Sequence, residues 1–250
     1  MHEKISLRQC LNILSEHDII VVKPKSLELC NYEVDFDKVV SFDDMYFKDI
    51  QGYNRLMLSA SFYETFIDYA YILIYQLDAF VFKDDLLEWC DKGFDYIGAP
   101  WLRYTKYPDK FKELKNKSLR YLNIKLNLKQ SKTGFPTALQ FENKVGNGGF
   151  SLRRTSKFLE ICIKEQPTID FYNSKDEHYY NEDVFFSIEV NRKGKQLNIP
   201  DYKQAAHFAI ENNYKHGFQI TQGALPFGCH AWDRYLEFWQ PIFIRYGVVI

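Results

Sequence analysis

An aspartate that follows an apolar run is the first residue of this sequence that could do chemistry. Asp78 comes directly after residues 71–77, which are mostly apolar, and precedes the apolar residues 79–82. A carboxylate in such a setting is costly to desolvate unless a cation or strong hydrogen-bond donors accompany it. Two interpretations stay open: Asp78 holds a metal ion, or it caps a nearby turn.

A histidine near the end of the chain is the second candidate. His230 lies in residues 226–232, between a glycine-containing turn and an aromatic segment. An imidazole paired with a carboxylate suits Mn²⁺, which accepts mixed oxygen and nitrogen ligands. The alternative is a structural histidine, and the residues alone do not decide between the two.

Two acids and two glycines are also ambiguous. Glu182 and Asp183 follow Asn181 at the predicted start of a helix, where acids simply stabilise the helix dipole. If one of them faces a bound hydroxyl, however, it is suited to be a general base. Gly148 and Gly149 either form an ordinary turn or let backbone N–H groups approach a ligand closely.

The elements that must position these residues alternate between helices and apolar strands. Residues 71–77 are predicted to form a fully buried strand of a parallel-type sheet. The other predicted elements include helices over 54–66, 181–190 and near 202–211, and strands over 96–101 and 196–199. The alternation indicates an α/β fold, in which Asp78 would lie beyond the carboxyl end of its strand, where ligands bind in open sheets.

The composition favours one domain over residues 1–250. A chain that is 46% hydrophobic can bury a full core, and a net charge of −1 argues against a nucleic-acid partner. Residues 103–132 contain ten basic and two acidic residues, which predicts a basic insertion or lid at about 103–140. That stretch is either a solvated surface or a contact for phosphates or a membrane.

The five cysteines are scattered and form no C-x-x-C pair, so neither a disulfide framework nor a zinc knuckle is expected. The sequence has neither a signal-peptide core nor an apolar stretch of membrane-spanning length. We therefore expect a cytoplasmic protein, with peripheral contact at the inner face of the membrane left open.

Five segments together resemble a bacterial family that is catalogued as a domain of unknown function and is glycosyltransferase-like. In chain order they are YQLDAFVF (75–82), YIGAPW (96–101), NGGFSLR (147–153), NEDVFFS (181–187) and PFGCHAW (226–232). The order of these motifs is also similar, more distantly, to that of GT-A β1,3-transferases. The resemblance implies a GT-A-like nucleotide-diphospho-sugar transferase fold, with a central mixed, mostly parallel sheet flanked by helices.

The resemblance further implies an inverting, metal-dependent hexosyltransferase of surface polysaccharide synthesis. It would move a sugar from a nucleoside-diphosphate donor to a glycan or lipid-linked glycan acceptor. Asp78 and His230 would hold Mn²⁺ or Mg²⁺, and Asp183, with Glu182 beside it, would be catalytic. The residues expected to contact donor or acceptor are Lys23, Asn54, Arg55, Gln76, Trp101, Asn147, Gly148, Gly149, Phe150 and Trp232.

The sequence departs from the family pattern in two places. Phe80 stands where a D-x-D motif has its second acid, so Asp78 would act with His230, water and the donor diphosphate, and weak metal binding without nucleotide is expected. Family members usually open with an extra strand before the helix that begins here near Ser6. Either the true start lies upstream, or the site lacks one wall, for which Lys23 would supply part of the contact.

Two rival functions follow from these observations. A non-catalytic sugar- or nucleotide-binding subunit would explain the reduced D-x-D motif. A metal-dependent phosphodiesterase would also place acids at strand ends, but a two-metal site needs more clustered Asp and His than the sequence has near Asp78.

Overall fold

The computed structural model describes residues 2–29 and 36–248 and packs helices against short strands throughout. Its helices are α1 (His2–Ile13), α2 (Ile50–Met57), α3 (Ala60–Thr65), α4 (Leu86–Asp91), α5 (Lys110–Lys125), α6 (Thr155–Lys164), α7 (Gln166–Asn173), α8 (Glu182–Val184), α9 (Tyr202–Phe208), α10 (Tyr214–Ile220) and α11 (Leu236–Ile244). Its strands are β1 (Ile20–Pro24), β2 (Lys38–Phe42), β3 (Tyr71–Tyr75), β4 (Phe80–Val81), β5 (Tyr96–Gly98), β6 (Phe150–Arg154), β7 (Ala209–Ile210) and β8 (Gly228–Cys229). The α/β class is confirmed. Of the helices in these ranges, none combines the length and the apolarity needed to cross a bilayer.

The strands of the described ranges form three small sheets. β1 and β2 pair in parallel, whereas β6 lies between β3 and β5 and is antiparallel to both. β8 lies between β4, to which it is antiparallel, and β7, to which it is parallel. The prediction of a mostly parallel sheet is therefore wrong. An apolar run indicates burial, but strand direction depends on how distant segments connect.

Apolar side chains cover both faces of the sheet formed by β3, β6 and β5. Phe150 and Leu152 on β6 pack into one cluster, while Phe158 and Phe186 belong to the cluster on the other face. Because side chains alternate along a strand, Arg153 points into this second cluster, with its guanidinium carbon 5.4 Å and 5.7 Å from those two ring centroids. A fully buried cation thus lies in the middle of an aromatic core.

Several predicted elements differ from the observed ones. β3 ends at Tyr75 and its residues are half-buried, so the expectation of a fully buried strand over 71–77 is wrong. The predicted helix over 54–66 is divided into α2 and α3, because Ser59 accepts a hydrogen bond from Phe62 N and caps a new helix. The predicted strand over 196–199 is absent; Asn198 instead exchanges hydrogen bonds with the backbone N–H and the carboxylate of Asp95.

The basic segment 103–140 folds onto the rest of the chain through polar contacts. Lys125, at the end of α5, donates from Nζ to the carbonyl of Arg192 at 2.8 Å. Within the segment, the buried Asn123 of α5 accepts a 2.6 Å hydrogen bond from Thr137 Oγ1. These contacts fix one side of α5 against the domain.

Candidate functional site

Strand pairing brings distant polar residues to one place. Tyr75, the last residue of β3, pairs with Phe150, the first residue of β6. The next residue, Gln76, donates from its backbone N–H to Gly149 O at 2.8 Å. In the parallel pair of β7 and β8, Ile210 lies opposite Cys229. The residues that follow these two, Glu211 and His230, therefore emerge side by side.

His230 is the centre of the resulting cluster. Its Nε2 lies 3.0 Å from Asp78 Oδ1 and 3.2 Å from Gln76 Oε1. Its Nδ1 lies 3.3 Å from Glu211 Oε1 and 3.0 Å from Asn147 Nδ2. The imidazole is thus held between two carboxylates, and the sequence prediction that Asp78 and His230 come together is met by this contact.

The two carboxylates set the charge of the cluster. Burial by itself would lower the pKa of His230, but the hydrogen bonds and charges of Asp78 and Glu211 raise that pKa to about 9. Burial would raise the pKa of Asp78, yet the hydrogen bond and charge of His230 hold it below its usual value. Two carboxylates therefore surround one imidazole, a setting that favours positive charge, either as the proton on His230 or as a metal ion that displaces that proton.

Asn147 shapes the loop before β6. Its Oδ1 accepts hydrogen bonds from Gly149 N at 2.9 Å and Phe150 N at 3.3 Å, and its backbone is left-handed with φ +71°. Asparagine tolerates this conformation better than most residues because its short side chain bonds the local backbone. The other end of the side-chain amide, the NH₂ group of Asn147, faces Nδ1 of His230.

Asp183 is a half-buried acid beside this loop. Its Oδ1 accepts a 2.8 Å hydrogen bond from Val184 N. Burial raises the pKa of Asp183 to about 7, and the charges of Glu182 and Glu211 act in the same direction. Because Glu211 also contacts His230, Asp183 belongs to the same electrostatic neighbourhood. A carboxyl group whose pKa lies near neutrality is suited to accept a proton from a hydroxyl.

Glu182, by contrast, faces the core. It is 1% exposed, and its Oε1 lies 3.2 Å from the guanidinium of Arg153, which is itself fully buried. Burial raises the pKa of Glu182, and Arg153 offsets part of this effect. A carboxylate enclosed in this way cannot reach a bound hydroxyl, so the expectation of a catalytic Glu182 is corrected to a structural ion pair that supports α8.

The two glycines leave room that no other residue would. A Cβ at Gly148 would overlap Glu182 Oε1, and a Cβ at Gly149 would overlap His230 Nε2 and Gln76 Oε1. Neither glycine has a positive φ. The requirement for glycine is therefore close approach, not backbone conformation.

The substitution Gly149→Ala is accordingly expected to displace His230 and to disturb the cluster. We expect the fold to survive with a loss of about 1–3 kcal/mol in unfolding free energy, typical of overpacking. The measurement is the His230 side-chain NMR titration with equilibrium unfolding, with Gly194→Ala as control because nothing lies near its Cβ position. An unchanged His230 titration in Gly149→Ala would contradict the assignment.

Two residues of the site escape prediction from the sequence. Tyr53 donates to Gly148 O at 3.1 Å, and burial raises its pKa, assisted by the nearby carboxylates Glu182, Asp183 and Asp78. Glu211 falls in the predicted helix near 202–211, but α9 ends at Phe208. Glu211 directly follows an apolar segment, as Asp78 does, and this feature of the sequence could have indicated it as a site residue. For Tyr53 the sequence shows no comparable feature.

Three of the predicted binding residues are buried in structural contacts that do not involve His230. Phe150 and Trp232 are both 0% exposed, so neither offers a ring face to a sugar, and Trp232 Nε1 donates to Ser6 Oγ instead. Asn54 accepts a hydrogen bond from Glu182 N at 3.1 Å and thereby holds the start of α8. The direct-contact roles predicted for these residues are corrected to structural ones.

Three others form no hydrogen bond or ion pair with Asp78 or His230 among the described residues. Lys23 Nζ donates to Leu27 O at 2.6 Å, and Arg55 is half-buried in the last turn of α2. The half-buried Trp101 covers Gly146 and meets Phe141 edge-on at 5.8 Å between ring centroids. The structure therefore joins Gln76, Asn147, Gly148 and Gly149 to Asp78 and His230, but not these three.

Two side chains of the cluster, Asp78 and His230, are the ones that could hold a metal ion. Residues 2–29 and 36–248 contain no group of three or more His, Cys, Asp or Glu side chains arranged for a metal. Asp78 and His230 Nε2 nevertheless converge at 3.0 Å, and the other ring nitrogen of His230 faces Glu211, the carboxylate arrangement found behind metal-bound histidines. Phe80 is fully buried and stacks on Phe243. Its side chain therefore packs in the core and not in this site.

The fold and the site define an α/β protein whose strand ends hold a partly buried carboxylate–histidine cluster. A family model described as "Protein of unknown function (DUF5672)" matches residues 37–230, and the chain belongs to that family. The match includes the cluster residues and Asp183, whereas Lys23 lies outside it. Comparison with curated proteins and with solved structures found no match.

Proposed function

We propose that this protein transfers a sugar from a nucleoside-diphosphate donor to a hydroxyl group of a glycan or lipid-linked glycan. The observation that carries the proposal is the juxtaposition of the Asp78–His230 pair, the close backbone of Gly148 and Gly149, and an acid whose pKa is about 7. The resemblance of the five sequence segments to glycosyltransferase-like proteins supports the same reaction.

Asp78 and His230 are the residues that would hold Mn²⁺ or Mg²⁺. Bound there, the ion would offset the negative charge that develops on the departing diphosphate. With two protein ligands, the remaining positions are left to water and donor phosphates, so we expect the donor and the ion to bind together.

Asp183 is proposed as the general base. Its carboxylate would take the proton of the acceptor hydroxyl as the oxygen attacks the anomeric carbon from the face opposite the diphosphate, which inverts the configuration. The nearby N–H groups of Val184 and Asn147 orient the carboxylate and limit the rise of its pKa. The protein's contribution is thus a positioned base next to a cation site.

The test is nucleoside diphosphate release with a panel of sugar nucleotides, Mn²⁺ and glycan acceptors. We expect release for one donor class, dependent on both acceptor and ion. Absence of release and of donor binding across the panel would contradict the proposal.

The metal assignment gives a separate prediction. Asp78→Ala and His230→Ala should each weaken Mn²⁺-dependent donor binding on the order of 100-fold, because each removes one of two protein ligands. The measurement is calorimetric titration of donor with and without Mn²⁺.

The chain offers a matched control for these variants. His17 Nε2 lies 3.0 Å from Asp84 Oδ2, the same separation as in the Asp78–His230 pair. His17→Ala and Asp84→Ala should leave donor binding unchanged. Equal losses in both pairs, or none in either, would contradict a metal site at Asp78.

A further inference from the structure

Helix α5 leaves several large apolar side chains in solvent. Phe111 is 77% exposed, Leu114 63% and Leu122 47%, and Leu126, which follows the helix, is 64% exposed. Every other α-helix in residues 2–29 and 36–248 carries at most one exposed side chain of this size. Concentrated apolar exposure of this kind marks an interaction surface.

The orientation of α5 explains this exposure. Glu113, Asn116, Arg120 and Asn123 recur at helical spacing and are buried or half-buried against the domain. Phe111, Leu114 and Leu122 also share a face, but it is the opposite one. Apart from Ile124, which packs against the core, the helix therefore turns polar side chains toward its own protein and an apolar face outward, the reverse of an ordinary surface helix.

The charges around the outward face are basic. Lys110, Lys112 and Lys115 are exposed and form no ion pair with any described residue. Of the two acids in this part of the chain, Glu113 pairs with Lys117 at 2.7 Å and Asp109 caps the helix. Apolar residues bordered by lysines are typical of a helix that lies in the interface of an anionic bilayer.

We propose that α5 docks on an anionic phospholipid surface. Phe111, Leu114 and Leu122 insert at the boundary of the acyl chains, while the lysine stems extend to the headgroup phosphates. A second copy of this chain is a less suitable partner, because its own α5 would place lysines against the lysines of the first copy. The inference does not depend on the proposed sugar transfer, since membrane docking requires neither donor nor ion.

The test is sedimentation of the full chain with vesicles, without nucleotide sugar. We expect binding to vesicles of equal parts phosphatidylglycerol and phosphatidylcholine and little binding to phosphatidylcholine alone. The triple variant Phe111→Ser/Leu114→Ser/Leu122→Ser should reduce partitioning by about tenfold or more. Lys112→Gln/Lys115→Gln should reduce it mainly on the anionic vesicles.

A control with the same chemistry is available on other helices. Leu87, Ile163 and Ile244 are 66%, 60% and 58% exposed, so their triple serine variant removes similar apolar surface elsewhere. Its partitioning should equal that of wild type, and circular dichroism should show all variants folded. No vesicle binding by wild type, equal loss in the control, or a dimer that only the α5 variant dissociates would overturn the proposal.

Discussion

Asp183→Asn is expected to lower kcat for sugar transfer by about 10²–10⁴-fold while donor binding stays close to wild type. The amide keeps the size of the side chain and can still accept the hydrogen bond from Val184 N, but it cannot take a proton. The measurement is acceptor-dependent release of nucleoside diphosphate, with donor affinity determined separately. A loss confined to kcat would identify a base, whereas a loss of donor binding would indicate misfolding of the loop.

The pH profile sharpens this expectation. Burial raises the pKa of Asp183 to about 7, so most of the enzyme holds this group protonated and inactive as a base at pH 6. The wild-type rate should therefore rise about tenfold per pH unit below 7 and level off above it. The residual rate of Asp183→Asn should not show this rise with pH below 7.

An exposed acid provides the control for Asp183. Asp170 accepts a hydrogen bond from Gln166 on the surface of α7, and Asp170→Asn should have the wild-type rate and profile. If wild type and Asp183→Asn instead release the same trace of nucleotide while both bind donor, the enzyme proposal fails. That result would favour a non-catalytic sugar- or nucleotide-binding subunit.

Arg153→Met should lower the free energy of unfolding by about 3–5 kcal/mol, the largest stability effect we expect in this chain. The substitution leaves the carboxylate of Glu182 buried without a counter-charge. Glu182 Oε2 already lacks a hydrogen-bond partner among the described residues, so nothing nearby replaces the guanidinium. Hydrogen bonds from Arg153 to Tyr63 and Ser151 are lost as well. Urea unfolding followed by tryptophan fluorescence measures the change.

The next residue in the chain gives a matched control. Arg154 pairs with Asp95 at 2.8 Å, but its side chain is 35% exposed. Arg154→Met should therefore destabilise by about 1 kcal/mol or less. In addition, Arg153→Met/Glu182→Leu should recover part of the loss, because it removes both buried charges. If Arg153→Met and Arg154→Met destabilise equally, the buried pair is not the support proposed for α8.

The Arg153–Glu182 ion pair, which stabilises the core, also contacts the loop of the candidate site. Arg153 donates to Gly148 O at 3.3 Å, and Tyr53 donates to the same carbonyl at 3.1 Å. Gly148 passes directly over Glu182, so closely that the carboxylate occupies the space a Cβ would need. Variants that break the pair are thus expected to disturb the loop that carries Asn147 as well as the core.

Much of the site could be predicted from residue type and local setting. Asp78 stands out because an unaccompanied acid after an apolar run is costly. His230 is a candidate because an imidazole paired with a carboxylate suits Mn²⁺, but the residues alone left a structural histidine open. For Gly148 and Gly149 the sequence left an ordinary turn and a place of close approach both open, and the structure shows close approach by the side chains of Glu182, His230 and Gln76. These inferences depend on desolvation and side-chain size, which short segments of sequence already express.

The remaining features depend on contacts between distant segments. Glu182 and Asp183 are adjacent in sequence, yet one pairs with Arg153 in the core and the other stays half-buried with a pKa of about 7. Sequence cannot assign these opposite environments, because the direction of each side chain is fixed by the packing of α8 against α2 and β6. The same is true of Tyr53 and Trp232, whose surroundings come from residues far away in the chain.

The α/β class, the position of Asp78 beyond an apolar strand and the basic character of residues 103–132 could be predicted from the sequence, because each follows from local composition and apolar patterning. The folded structure was needed to show that three of the five described strand pairs are antiparallel, that Glu211 contacts His230, and that α5 turns its apolar face outward. Local sequence patterns determine which side chains tend to be buried and which tend to be exposed to solvent. Which of them meet is decided by the register of strands and the rotation of helices, and these depend on the whole chain.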